Sequence, residues 1–167
     1  MWGRAKAGSP SETRAHQPGH TMRITSVLLD IGGGIFMVFG LLHAIYTFLD
    51  IRRPRRLVPD DPAVAAAMAG SQVRLARGGM TMWRAWVGFN FSHSVGAVLF
   101  GVVCIVTGTV IATASVPGWI LLLLAAVGLV YLIIGVLYWF RIPIAGIAVA
   151  TTCLLLAWLN YVTSLSN

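Results

Sequence analysis

The 167 residues are 57% hydrophobic and 10% charged, with 12 Lys and Arg against 5 Asp and Glu. Sixteen of the seventeen charges lie at or before Arg84, so 85–140 and 142–167 carry no formal charge at all. A soluble domain spreads about a quarter charged residues over its surface and a disordered chain is polar; both are excluded in favour of an integral membrane protein.

Residues 1–23 are polar and rich in Gly, Pro and Ser, the composition of a disordered tail. Met22 is an alternative start, which would leave that tail outside the protein. The run 24–49 exceeds the ~7–15 residues of a secretory h-region and no A-x-A site closes it, so it reads as a retained span. The loop 50–85 opens on Arg52-Arg53-Pro54-Arg55-Arg56. Beside a span, that cluster reads as a topology anchor and lipid-headgroup contact rather than a nucleic-acid contact. Asp60-Asp61-Pro62 has the pattern of an N-cap followed by proline in the first helical turn. Ala-rich sequence continues to Arg77, where Gly78-Gly79 ends it. Val64, Met68 and Leu75 share one face, which predicts a short amphipathic surface helix with Arg74 and Arg77 near anionic headgroups.

The long uncharged stretch exceeds one helix and breaks at Pro117-Gly118, giving spans near 86–113 and 118–140. Arg141 and Pro143 turn the chain into a fourth span near 143–163. Backbone groups in lipid must bond within their own segment, so the spans are helices. The expected fold is therefore an all-α integral membrane protein, four transmembrane helices in an up-and-down bundle. Eight arginines fall on the side of the 50–85 loop and the Arg141 turn, against four basic residues in the tail. The positive-inside rule then puts the loop in the cytoplasm and both termini outside, in a cell inner membrane. Trp83, Trp86, Tyr138 and Trp139 are expected as interface aromatics at the inner side, and Trp119, Trp158 and Tyr161 at the outer side.

Each span carries small residues that let helix backbones approach: Gly33 and Gly40; Ala97, Gly101, Cys104 and Gly108; Gly128 and Gly135; Gly146, Ala150, Cys153 and Ala157. Cys104 and Cys153 differ in depth by ~12 Å, too far for a disulfide, and are read as small buried hydrophobes. Polar side chains at membrane depth are costly and draw attention by default. Trp86, Asn90, His93 and Ser94 share the inward face of the second span, and His43, Tyr46 and Asp50 lie close together on the first. Counted from the loop, His43 and His93 both lie ~10–14 Å deep. Asp30 and Asn160 make a second possible pair near the outer surface.

Interhelical hydrogen bonding accounts for such a cluster on its own. The functional alternative is a site for a small polar ligand or a proton, with His43 and His93 titrating and Tyr46, Asp50, Asn90 and Ser94 around them. Two imidazoles of equal depth also permit one bis-histidine haem b; no other cofactor is predicted, and no metal site apart from that iron. Walker, G-x-S-x-G and H-E-x-x-H motifs are absent, as are paired intramembrane carboxylates.

The stretch Trp83-Arg84-Ala85-Trp86-Val87-Gly88-Phe89-Asn90-Phe91-Ser92-His93-Ser94-Val95-Gly96, with Gly40-Leu41-Leu42-His43-Ala44-Ile45-Tyr46, resembles a signature of small bacterial four-helix membrane proteins, the Leptospira-type conserved hypothetical family. The resemblance runs from about Met22 onward. It implies four helices and lends no catalytic residues. The combined reading is a non-enzymatic accessory subunit or small-ligand binder with a polar His/Asn pocket between the first two spans. Its partners would be membrane lipids, other subunits or a second copy, and not nucleic acid. The alternative is a membrane redox protein or enzyme using His43 and His93.

Overall fold

The computed structural model describes residues 18–76 and 78–166. Within them the chain forms α1 (Pro18–Arg52), α2 (Pro62–Gly70), α3 (Met82–Ile111), α4 (Gly118–Tyr138) and α5 (Arg141–Leu165), with a 3-10 turn at Arg74–Ala76. Four of these helices, all but α2, are long and apolar enough to cross a bilayer, whose core requires about 20 residues. The fold is the all-helical, four-helix membrane bundle that the charge map implies. Residues 53–76, 78–81 and 139–140 lie at one end, the loop end; Pro18, the 112–117 turn and Leu165 lie at the other.

α1 is the organising helix. It packs on α3 and on α5, and α5 packs on α4. Two adjacent glycines explain how one helix serves two neighbours, because consecutive side-chain directions differ by about 100°. A Cβ on Gly33 would stand 2.6 Å from the Gly101 carbonyl oxygen, and one on Gly32 would stand 3.2 Å from that of Ala150. Gly40 faces Ser94 and Gly108 faces Ser26 in the same register, so α1 and α3 run antiparallel. Gly128 of α4 abuts Thr151 of α5, whose hydroxyl donates to the Gly128 carbonyl at 3.0 Å. Gly33, Gly40, Gly101, Gly108, Gly128 and Ala150 belong to the predicted small-residue stripes, whereas Gly32 and Thr151 do not. Leu29, Phe36, Cys104, Leu121, Ala150, Leu154 and Ala157 fill the core between them. Both cysteines are free thiols. α3 and α4 meet differently: the Tyr131 ring of α4 packs against a touching pair of rings, Phe36 of α1 and Phe100 of α3, at 5.2 and 6.2 Å between centroids.

Several boundaries differ from the sequence expectation. α1 begins at Pro18, so 18–23 are helical, while 1–17 of the expected tail lie outside the described residues. Proline suits the first helical position, and the Asn160 amide binds this opening turn through the Thr21 carbonyl (3.0 Å) and the Thr25 hydroxyl (2.9 Å). α2 has the predicted Asp61 cap, whose carboxylate accepts from the Ala63 N–H at 2.7 Å. It stops at Gly70 instead of reaching Arg77. Beyond it Val73 N–H bonds the Met80 carbonyl and Met82 N–H bonds that of Ser71, a hairpin-like closure incompatible with a continuing helix. Gly78 has φ +99°, a conformation that side chains disfavour. Leu75 is 95% exposed in the 3-10 turn, so Val64, Met68 and Leu75 form no common helical face.

The aromatic expectations divide. Tyr161 is buried and not at an interface: its hydroxyl accepts from the Val116 N–H at 3.1 Å and donates to the Val116 carbonyl, pinning the turn between α3 and α4 to α5. Trp119 and Tyr138 are exposed, as interface residues would be.

Candidate functional site at the junction of α1, α3 and α4

The antiparallel register of α1 and α3 brings together residues 47 positions apart in the chain. His43 Nε2 and Asn90 Oδ1 are 2.7 Å apart. Asn90 Nδ2 donates to the Trp86 carbonyl at 2.7 Å, which turns its oxygen toward His43 and makes His43 Nε2 the donor. Asn90 is 4% exposed, and each of its two amide atoms has a partner in this pair of bonds. Ser94, equally buried, bonds back to the Asn90 carbonyl at 2.8 Å and packs against Gly40. Thr47 closes the same turn of α1 by donating to the His43 carbonyl at 2.8 Å.

His93 lies beside this pair, its ring 5.4 Å from that of His43 at an interplanar angle of 79°. The prediction that the two histidines share a level is therefore met by direct ring contact. Three further rings surround His93: Phe89 stacked at 6.3 Å, Tyr131 at 5.8 Å and Trp139 edge-on at 5.2 Å. His93, Tyr131 and Trp139 are half-buried, and Phe89 is mostly exposed. Among the described residues no hydrogen bond reaches a ring nitrogen of His93 or the Tyr131 hydroxyl. The two polar tips lie in the seam between α3 and α4, where rings rather than backbones make the contact.

Tyr46 and Asp50 do not join this group. Tyr46 faces the loop, with the Arg56 guanidinium 5.4 Å above its ring. Asp50 is 2% exposed and accepts from the backbone N–H groups of Arg55 (3.1 Å), Arg56 (3.1 and 3.2 Å) and Leu57 (2.6 Å). The Leu57 carbonyl in turn accepts from Trp86 Nε1 at 2.8 Å, so Trp86 ties this turn to α3. Asp30 and Asn160 are likewise apart: Asn160 binds the start of α1, and Asp30 is exposed beside Gly108. Arg52, Arg53, Arg55 and Arg56 gather around one depression at the loop end; Arg74 is in the 3-10 turn and not among them. Arg77 lies outside the described residues.

The geometry does not fit a haem held by His43 and His93. Such a group needs two imidazole nitrogens aimed at opposite faces of one plane. Here His43 Nε2 is spent on Asn90, the two rings touch directly, and one turn away the helices meet through Gly40 and the Ser94 carbonyl. Among the described residues no three His, Cys, Asp or Glu side chains converge.

Sequence reasoning leaves Tyr131 and Trp139 out of the site. Depth would have found the first: Tyr131 is ten residues above Arg141, ~15 Å, against nine above Arg84 for His93. No family model, curated protein or solved structure matches the chain.

Proposed function

We propose that this protein is a non-enzymatic membrane binder of a small lipid-soluble molecule, held at His93 and Tyr131 in the seam between α3 and α4. The observation that carries this reading is the division of labour between the histidines. His43 is spent on Asn90, as interhelical glue would be, whereas among the described residues no hydrogen bond reaches either nitrogen of His93, which aromatic side chains flank. An imidazole N–H and a phenolic O–H offer two donors, and Phe89 and Trp139 offer faces for stacking. That set suits a planar carbonyl compound of the quinone type, entering from the bilayer.

The same proposal assigns the loop 50–85 to the cytoplasmic face of a bacterial inner membrane, with both termini outside, on the arginine excess at the loop end. Kinship with the small bacterial four-helix membrane proteins, resting on the residues 83–96 and 40–46, belongs to it as well. So does a role as an accessory subunit, the seam being a surface that a larger partner or a second copy could extend.

Equilibrium binding of a short-tailed benzoquinone to the full chain in nanodiscs tests the site. Wild type is expected to bind saturably, with one equivalent per chain. His93→Gln and Tyr131→Phe should each weaken binding about tenfold, the equivalent of one hydrogen bond of about 1.4 kcal/mol. His43→Gln should lower thermal stability and leave binding within about twofold. Non-saturable uptake, or unchanged affinity in both variants, would overturn the reading.

A further inference from the structure

The loop end of α1 carries a second feature, independent of the His93 seam. Arg52, Arg53, Arg55 and Arg56, with Leu49, line a depression of about 480 Å³. Four arginines in five residues ordinarily read as a topology anchor, but an anchor needs no defined geometry. Here the backbone is fixed by a buried group: Asp50 accepts the N–H groups of Arg55, Arg56 and Leu57 and so curls the chain back over the end of α1. Two guanidiniums are held by rings of that helix, Arg52 at 5.2 Å over Phe48 and Arg56 at 5.4 Å over Tyr46. Stacking of this kind leaves the in-plane N–H donors available.

Among the described residues no carboxylate pairs with any of the four guanidiniums. Asp50, two residues before Arg52, is buried and has its oxygens filled by backbone donors. The depression therefore presents four cationic forks that no described carboxylate pairs. It also sits where an apolar span ends, and Ile45, Phe48 and Leu49 are exposed along α1 beneath it.

We propose that this depression binds the headgroup of an anionic phospholipid carrying two phosphates, with its acyl chains lying along Ile45, Phe48 and Leu49. Arginine forks match phosphate oxygens bidentately, and four forks provide two for each of two phosphates. The exposed apolar strip below the arginines favours a lipid over a free phosphate. Arg53 and Arg55, which stack on no ring among the described residues, supply the donors most freely directed at the headgroup.

Native mass spectrometry of the full chain, released from vesicles containing equal phosphatidylglycerol and cardiolipin, tests this. Cardiolipin, with two phosphates, should be retained about tenfold over phosphatidylglycerol. The double change Arg53→Gln with Arg55→Gln should abolish that preference, while Arg74→Gln leaves it intact. Each single change keeps the backbone bonds to Asp50 and repeats the measurement if the double variant folds poorly. Equal retention of the two lipids, or a preference unchanged in the arginine variants, would overturn the proposal. So would displacement of cardiolipin by millimolar inorganic phosphate, which would assign the depression to a soluble anion.

Discussion

Gly101→Ala is expected to loosen the bundle more than any other single-methyl change. A Cβ at this position would fall onto the Gly33 carbonyl oxygen and Met37, and one at Gly33 would stand 2.6 Å from the Gly101 carbonyl and 2.8 Å from Cys104 Cβ. These are mostly backbone atoms, which cannot rotate aside, so α1 and α3 must separate. Overpacking of this kind costs about 1–3 kcal/mol. Alanine also raises helix propensity by up to about 1 kcal/mol relative to glycine, so the measured loss is what remains after that gain. Gly34→Ala is the matched control: nothing lies within 4 Å of its added methyl, and only the propensity gain should remain. Thermal unfolding of the detergent-solubilised chain should show a lower midpoint for Gly101→Ala and an equal or higher one for Gly34→Ala. The effect reaches the site as well, because the same helix pair sets the distance between His43 and Asn90.

Asp50→Ala is the second large effect, and it acts on the loop. The wild-type carboxylate satisfies three successive backbone N–H groups from a position 2% exposed. Hydrogen bonds to a charged acceptor contribute about 1.5–3 kcal/mol each, and a buried donor left without a partner costs about 1–3 kcal/mol. Alanine removes all of these acceptors together; water reaching the partly exposed turn offsets part of the loss. The turn at Arg55–Leu57 should open, releasing the Leu57 carbonyl from Trp86 and dispersing the arginines. Limited digestion with trypsin should cut within Arg52–Arg56 much faster in Asp50→Ala than in wild type. Asp60→Ala, at an exposed loop position, should leave the rate unchanged.

How far the sequence foretold these features depends on the physics involved. Charge exclusion from lipid is strong and one-dimensional, so the spans could be located from Arg and Asp positions alone. Helical periodicity then identified Gly33, Gly101 and Ala150 as contact residues, because close backbone approach tolerates few alternatives. Equal depth brought His43 and His93 together for the same reason. What periodicity cannot convey is a chain that folds back. Asp50 shares a helix face with His43, but the backbone beyond Arg52 returns to occupy its carboxylate. Depth alone pairs Asn160 with Asp30, yet its amide meets Thr21 and Thr25, the first of which lies in a stretch with the composition of a tail. Tyr131 and Trp139 are not legible as site residues because aromatic residues in or beside an apolar span read as packing. Their relevance appears only once α4 is seen to touch α3 through rings.

In the proposed binder one membrane histidine is structural and the other available to a ligand. ¹⁵N spectra of histidine-labelled, reconstituted full-length protein, titrated with a short-tailed benzoquinone, test it most directly. A saturable shift of the His93 ring nitrogens is expected, absent in Tyr131→Phe, while the His43 nitrogens hold their hydrogen-bonded position and move only in Asn90→Leu. Saturable movement of His43 with His93 unmoved, or no saturable change at either ring, would contradict it.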